Sequence, residues 1–191
     1  MWNLPNQITL SRIALIPIFM ILMLVPWNWG SVAFAGVHMP AADLTAALIF
    51  IVASCTDWLD GYYARKLNLV SDFGKFVDPL ADKLLITAAF VALVAMNAVP
   101  AWAVIIILAR EFAVSGLRQI AAANGDVIAA SGLAKWKTTT QIVAVAALLL
   151  HNAFFAYFSF PFASLCFWLA VVMTVLSGWD YFYRNRSIIF K

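Results

Sequence analysis

The sequence predicts an all-α protein, an integral membrane bundle of six transmembrane helices. Three observations predict it. Of 191 residues, 65% are hydrophobic and only 11% charged, with a mean hydropathy of +0.93, where an average soluble domain carries about 25% charged residues. The apolar residues fall into six long segments without period-2 alternation, and a lipid-spanning chain that is not a closed barrel must be helical. The basic residues, finally, fall at the two ends of the chain and in the second and fourth connections with their flanks. Together these exclude a soluble enzyme, a disordered chain and a disulfide scaffold. The formal charge of +3 bears on topology rather than on nucleic acid, and no nucleic-acid partner is expected.

The segments, in order, are Ile13–Val25, Leu44–Tyr63, Leu84–Val99, Trp102–Ile120, Ile142–Leu150 with its flanks, and Phe160–Tyr181. The first reaches back toward Ile8 and the fifth begins near Leu133, because about 20 apolar residues are needed to cross a bilayer. Trp2–Thr9 mixes polar and apolar residues and suits a short N-terminal helix lying along the interface. The twelve Lys and Arg residues are Arg12, Arg65, Lys66, Lys75, Lys83, Arg110, Arg118, Lys135, Lys137, Arg184, Arg186 and Lys191. None falls in Pro26–Asp43, Met96–Trp102 or His151–Pro161. The positive-inside rule then places both termini and the second and fourth connections in the cytoplasm of a multi-pass protein in the cell membrane. With no internal repeat or linker, residues 1–191 read as a single membrane domain.

Some features read as inert. Arg12, the first apolar run and Ala33-Phe34-Ala35 imitate a secretory signal, but the triplet lies far beyond the run and Pro26 intervenes. Cys55 and Cys166 stand in apolar stretches without neighbours at ligand spacing. His38 and His151 lie in loop-like segments away from any acidic cluster and read as surface residues.

The chemistry concentrates around the second connection. Asp57, Asp60, Asp78 and Asp82 are four of only nine acidic residues. Carboxylates within or beside a membrane span are costly and mark function by default. Asp57 and Asp60 are spaced i, i+3 at the end of the second helix. Asp78 and Asp82 are spaced i, i+4 at the start of the third. Each pair shares a helical face, and a short connection favours antiparallel neighbours, so the four can converge. Such a cluster cannot remain ionised alone. Hard oxygen donors suit Mg²⁺ or Mn²⁺, and four carboxylates balance two such ions. Read singly, each is also a helix cap or a surface charge, Asp78 before Pro79 above all.

The run Asp57-Trp-Leu-Asp60-Gly61-Tyr-Tyr-Ala64-Arg65, eight residues, then Gly74-Lys-Phe-Val-Asp78-Pro-Leu-Ala-Asp82 resembles the signature of the CDP-alcohol phosphotransferase family at all eight of its fixed positions. The resemblance covers essentially the whole chain. It is strongest to the bacterial branch that uses glycerol 3-phosphate, through Asn6-Gln-Ile-Thr9-Leu-Ser-Arg12, Ala109-Arg110-Glu111-Phe112, Gly116-Leu-Arg118 and Lys135-Trp-Lys137-Thr138. It implies a six-helix membrane enzyme that moves the phosphatidyl group of CDP-diacylglycerol to sn-glycerol 3-phosphate and releases CMP. It implies Asp57, Asp60, Asp78 and Asp82 as metal ligands, with Asp82 also the general base. It implies Gly61, Arg65 and Gly74 as contacts to the CDP-lipid. Close helix packing remains an alternative for Gly61, and a topology anchor for Arg65.

A second basic set follows. Arg110 lies deep in the fourth helix, where an unpaired guanidinium is costly. Glu111 beside it projects about 100° away, so each is expected to find its partner on another helix or on a ligand. Within the resemblance, Arg110, Arg118 and Lys135 form the pocket for a phosphorylated acceptor. The alternative for Arg118, Lys135 and above all Lys137 is anchoring to anionic lipid head groups. Asn6, Thr9 and Arg12 are candidates for further polar contacts, with a snorkelling anchor equally open for Arg12. Ala134 stands where the nearest relatives are expected to carry Gly, which bears on pocket shape and not on the reaction. Inositol phosphate or phosphatidylglycerol as acceptor would need the same pocket. A divalent-metal transporter is the rival of a different class, although such sites usually lie at the midplane within inverted repeats. The membrane lipid itself is a partner in either case, and the resemblance is compatible with a homodimer.

Overall fold

The computed structural model describes residues 4–66, 72–123, 128 and 132–186, and the side chains of 9–56, 80–81, 83–122, 128 and 132–186. Among them are six α-helices: α1 (Leu4–Leu24), α2 (Ala41–Lys66), α3 (Asp72–Ala95), α4 (Ala101–Ala123), α5 (Gly132–Leu149) and α6 (Phe162–Arg184). The protein is therefore mostly helical, as expected. Two departures are informative. The start of α1 is continuous from Leu4, with Pro17 inside it, so the expected separate interfacial helix is the first turns of α1 itself. And the connection after α1 is not featureless. Strands β1 (Ser31–Phe34) and β2 (Val37–Pro40) pair antiparallel, with Phe34 opposite Val37. Ala35 and Gly36 form the two-residue turn, at φ 44° and 86°, the left-handed pair that matches the twist of a tight hairpin. Four-residue strands in an otherwise apolar chain carry too little alternation to be seen against helical segments.

The helices are apolar and alanine-rich where they meet. Ala46, Ala47, Ala89, Ala92, Ala103, Ala144 and Ala170 are fully buried, which lets backbones approach closely. Phe19 and Phe50 pack at 6.2 Å between ring centres, as do Phe90 and Phe167, filling the space that the alanines leave. α2 and α3 each pack mainly on α1, α5 packs along α6, and α4 packs on α6.

On α6 the inward face reads Ala163, Phe167, Ala170, Thr174, Ser177 and Tyr181, all buried, while Leu165, Leu169, Val172, Leu176 and Trp179 are exposed on the other. Polar groups face inward and large apolar ones outward, the reverse of a water-soluble helix. α6 is the one helix among the described residues long and apolar enough to cross a membrane. Shorter apolar helical stretches run over Thr9–Leu24, Ala41–Thr56 and Lys83–Ala95. α5 mirrors the gradient. Its buried residues are Lys137 and Gln141 toward one end and Ala144, Val145 and Leu149 toward the other. The bundle thus has an apolar end and a polar end.

The apolar end is closed by a small set of directed contacts. Phe154 N donates to Ala35 O at 3.1 Å, and Phe34 meets Phe154 edge-on at 5.5 Å, which fixes the hairpin on the α5–α6 connection. Asn152 Oδ1 accepts from Ala163 N and its Nδ2 donates to Phe160 O, tying the same connection to the start of α6. His151, read from sequence as an inert surface residue, pairs with Asp43 at the start of α2, Nε2 to Oδ2 at 2.7 Å. Sequence could not pair residues 108 positions apart. His38 is exposed on β2, as expected. Replacing His151 by Ala leaves the mostly buried Asp43 carboxylate without that partner, at a cost of about 1–3 kcal/mol. A lowered thermal midpoint in detergent for His151→Ala, with catalysis at permissive temperature unchanged, is the expected outcome.

Candidate functional site

The polar end holds the site. Asp57 and Asp60 lie in α2, and Asp78 and Asp82 in α3, all within continuous helix, so the i, i+3 and i, i+4 spacings hold along the backbone. Their side chains, with those of Asn6, Gly61, Arg65 and Gly74, lie outside the described residues. As a donor set, four carboxylates are hard oxygen ligands suited to Mg²⁺ or Mn²⁺.

Beside that motif a cavity of about 470 Å³ opens, and Arg110, Arg118 and Lys135 all line it. The residues come from α4 and the first turn of α5, so the structure brings together the three cations singled out from sequence. Ser54, one turn before Asp57 on α2, and Lys83, directly after Asp82 on α3, are in the same wall. The helices that carry the acidic motif therefore border the cationic cavity.

Arg110 and Glu111 both find partners on other helices, as their charge requires. Arg110 Nη2 donates to Ser177 Oγ on α6 at 2.6 Å, and Lys137 Nζ on α5 donates to Glu111 Oε1. Arg110 Nη1 also reaches Glu111 Oε1 at 3.2 Å. The adjacent side chains meet after all, because a guanidinium on three methylenes can fold back across the angle that separates their Cβ atoms.

Lys137, for which lipid anchoring was the alternative, is 4% exposed and held by Glu111. It is a wall of the site and not a surface anchor. One helical turn deeper, Gln141 Nε2 donates to Thr174 Oγ1 at 3.0 Å, and a smaller cavity of about 270 Å³ reaches from Glu111, Arg118 and Lys137 down to Gln141. Lys83 Nζ donates to Ser115 Oγ at 2.5 Å, and Ser115 in turn donates to Glu111 O at 2.6 Å, which joins α3 to α4.

Among the described residues, five cationic side chains and one carboxylate line the larger cavity. Buried donors add to this. Arg110 Nε, Ser54 Oγ and the Tyr181 hydroxyl have no hydrogen-bond partner among the described residues, and all three residues line the cavity. Such a space selects an anion that accepts several hydrogen bonds at once, as a phosphate does. Thr9 and Arg12 lie elsewhere in α1 and are buried, Arg12 at 2% exposed, so Arg12 is an interior residue and not a snorkelling anchor.

Sequence reasoning missed Lys83, Ser115, Ser177 and Tyr181. Serines and a tyrosine in apolar helices carry no motif. For Ser177 and Tyr181 the one available signal was their position on the inward face of α6 in step with Ala170 and Phe167.

Residues 2–176 match the sequence profile of the CDP-alcohol phosphatidyltransferase family. Among relatives, the CDP-diacylglycerol--glycerol-3-phosphate 3-phosphatidyltransferase of Bacillus subtilis (strain 168) is 60% identical over 185 residues, spanning 97% of this chain and 96% of that one. The enzyme of the same name from Rickettsia bellii (strain RML369-C) is 38% identical, spanning 94% and 93%. That from Pseudomonas fluorescens is 37% identical, spanning 81% and 76%.

The Glu111–Lys137 pair gives a direct test of how the cavity wall is held. Glu111→Gln and Lys137→Met each lower the thermal midpoint in detergent. The double variant loses less than the sum of the two, with a coupling of about 1–3 kcal/mol, measured in a double-mutant cycle.

Proposed function

We propose, since the chain belongs to the CDP-alcohol phosphatidyltransferase family, that it transfers the phosphatidyl group of CDP-diacylglycerol to sn-glycerol 3-phosphate, giving phosphatidylglycerophosphate and CMP. The observation that carries this reading is the cavity in which Arg110, Arg118 and Lys135 meet beside the helices of the acidic motif. A neutral acceptor such as serine would leave that surplus of positive charge unanswered. An acceptor with its own phosphate answers it, and its free hydroxyl is then turned toward α2 and α3.

Chemistry follows from where the groups lie. The acceptor hydroxyl attacks the phosphorus that bears the diacylglycerol. The bond from that phosphorus to the bridging oxygen breaks, and CMP departs with the oxygen. Asp82 takes the proton of the attacking hydroxyl. Asp57, Asp60, Asp78 and Asp82 hold two divalent cations, Mg²⁺ or Mn²⁺, which when bound supply charge neutralisation at the pyrophosphate. Gly61, Arg65 and Gly74 contact the CDP-lipid, the glycines through close backbone approach. Arg110, Arg118 and Lys135 bind the acceptor's phosphate and orient its hydroxyl. Asn6, Thr9 and Arg12 add further polar contacts from the first helix.

The chain works as one domain of six spans with both termini and the site on the cytoplasmic side. The outward apolar face of α6 and the absence of Lys and Arg from Pro26–Asp43, Met96–Trp102 and His151–Pro161 support this topology. Lipid tails then enter from the bilayer while glycerol 3-phosphate and CMP exchange with the cytoplasm. The acidic residues Asp57, Asp60, Asp78 and Asp82 cluster at one end of their helices rather than at the midplane, which speaks against the transporter alternative.

The test uses purified protein in detergent with CDP-diacylglycerol and either metal. CMP is released with glycerol 3-phosphate, and not with serine, inositol phosphate or phosphatidylglycerol. A chelator or Asp82→Asn abolishes it. Release with a different acceptor alone overturns the acceptor assignment, and no metal-dependent release with any of them overturns the reaction. Arg110→Gln or Arg118→Gln raises KM for glycerol 3-phosphate about 10- to 100-fold, the loss of one charged phosphate contact, with KM for the CDP-lipid nearly unchanged in steady-state kinetics.

A further inference from the structure

Arg110 is a mostly buried cation of the cavity, and its reach is set by a helix that carries none of the expected site residues. Its guanidinium is tied on one side to Ser177 Oγ at 2.6 Å and on the other to Glu111 at 3.2 Å. Its stem runs over Gly178, where an added Cβ would stand 3.0 Å from Arg110 Cγ. Gly178 is in ordinary helical backbone, with no left-handed φ, so conformation does not demand a glycine there. What the missing side chain provides is room for the arginine stem. Ser177 and Gly178 are both buried.

One turn on, Tyr181 packs with Val114 and Leu117 of α4, which holds the two helices together at this point. A side chain at 178 therefore has to be accommodated by the arginine. A free arginine would absorb a few tenths of an ångström along its stem. This one is held at its far end by two hydrogen bonds, so a displaced stem turns the guanidinium.

We propose that Ser177 and Gly178 are positioning residues, which aim the Arg110 guanidinium into the acceptor cavity and thereby set the affinity for the phosphorylated acceptor. This rests on the reading of Arg110 as an acceptor-phosphate contact. The chemical logic is that planar, bidentate recognition of a phosphate depends on the direction of the guanidinium and not only on its charge. A misaimed arginine keeps the cavity cationic but loses paired hydrogen bonds. The signature of positioning is thus a rise in KM for the acceptor, with the CDP-lipid indifferent.

The experiment uses the full-length protein in detergent with CDP-diacylglycerol, glycerol 3-phosphate and Mg²⁺. Gly178→Ala and Ser177→Ala are each expected to raise KM for glycerol 3-phosphate about 10-fold, the scale of one weakened charged hydrogen bond. KM for CDP-diacylglycerol should stay within about twofold, even where loss of the Ser177 hydrogen bond to Arg110 lowers the thermal midpoint. Combined with Arg110→Ala, which removes Cγ and guanidinium together, Gly178→Ala is expected to add nothing further. Unchanged acceptor KM in both single variants would overturn the proposal. So would losses that appear equally in both substrates together with the thermal midpoint, or that add in full to Arg110→Ala. Failure of the underlying reading looks different: the unaltered protein would then not use glycerol 3-phosphate, or Arg110→Ala would leave its KM in place.

Discussion

Charge inside an apolar bundle has to be answered, and the single carboxylate of Glu111 answers two cations at once. Arg110 and Lys137 converge on it from α4 and α5, and Ser177 and Ser115 bring α6 and α3 into the same knot. Removing water from such groups costs several kcal/mol per ion unless the geometry and remaining hydrogen bonds repay it. The alanine seams, the aromatic pairs and the outward leucines can place helices side by side, but they are tolerant of small shifts. The knot around Glu111 is not. It requires α3, α4, α5 and α6 to be in one register, and so it defines the shape of the cavity.

The arithmetic of that knot also explains its ligand. Among the described residues, one carboxylate shared by two cations leaves the wall short of negative charge, and Lys83, Arg118 and Lys135 enlarge the deficit. A bundle built only for stability would balance its interior charges. At the apolar end, Asp43 and His151 answer each other. The polar end is left with donors that a phosphate can satisfy, and the affinity of the site comes from that imbalance.

How much of this is legible in the sequence depends on the kind of signal. The helices were visible because each is a long apolar run, although α3 begins at Asp72, twelve residues before the apolar segment that announced it. The acidic motif was legible because spacing in a helix translates directly into a shared face. Arg110 stood out by its depth. Lys137 did not, since a lysine near a helix start reads equally as an anchor, and only its contact with Glu111, 26 residues away, distinguishes the two. The same holds for His151 and Asp43. Ser177 and Gly178 are silent for another reason: their contribution is a hydroxyl and a vacancy, and neither means anything without the arginine laid across them. Local pattern reports what a residue is, and these roles depend on what it faces.

The link between Asp43 and His151 has a consequence for how the chain is made. Helices emerge from the ribosome in order, and the first five are complete before His151 exists. Until then the carboxylate at the head of α2 has no imidazole beside it, and the hairpin after α1 has no Phe154 to rest on. Closure of this end is therefore a late event in biogenesis, waiting on the turn that follows α5. A nascent chain halted before that turn lacks both contacts.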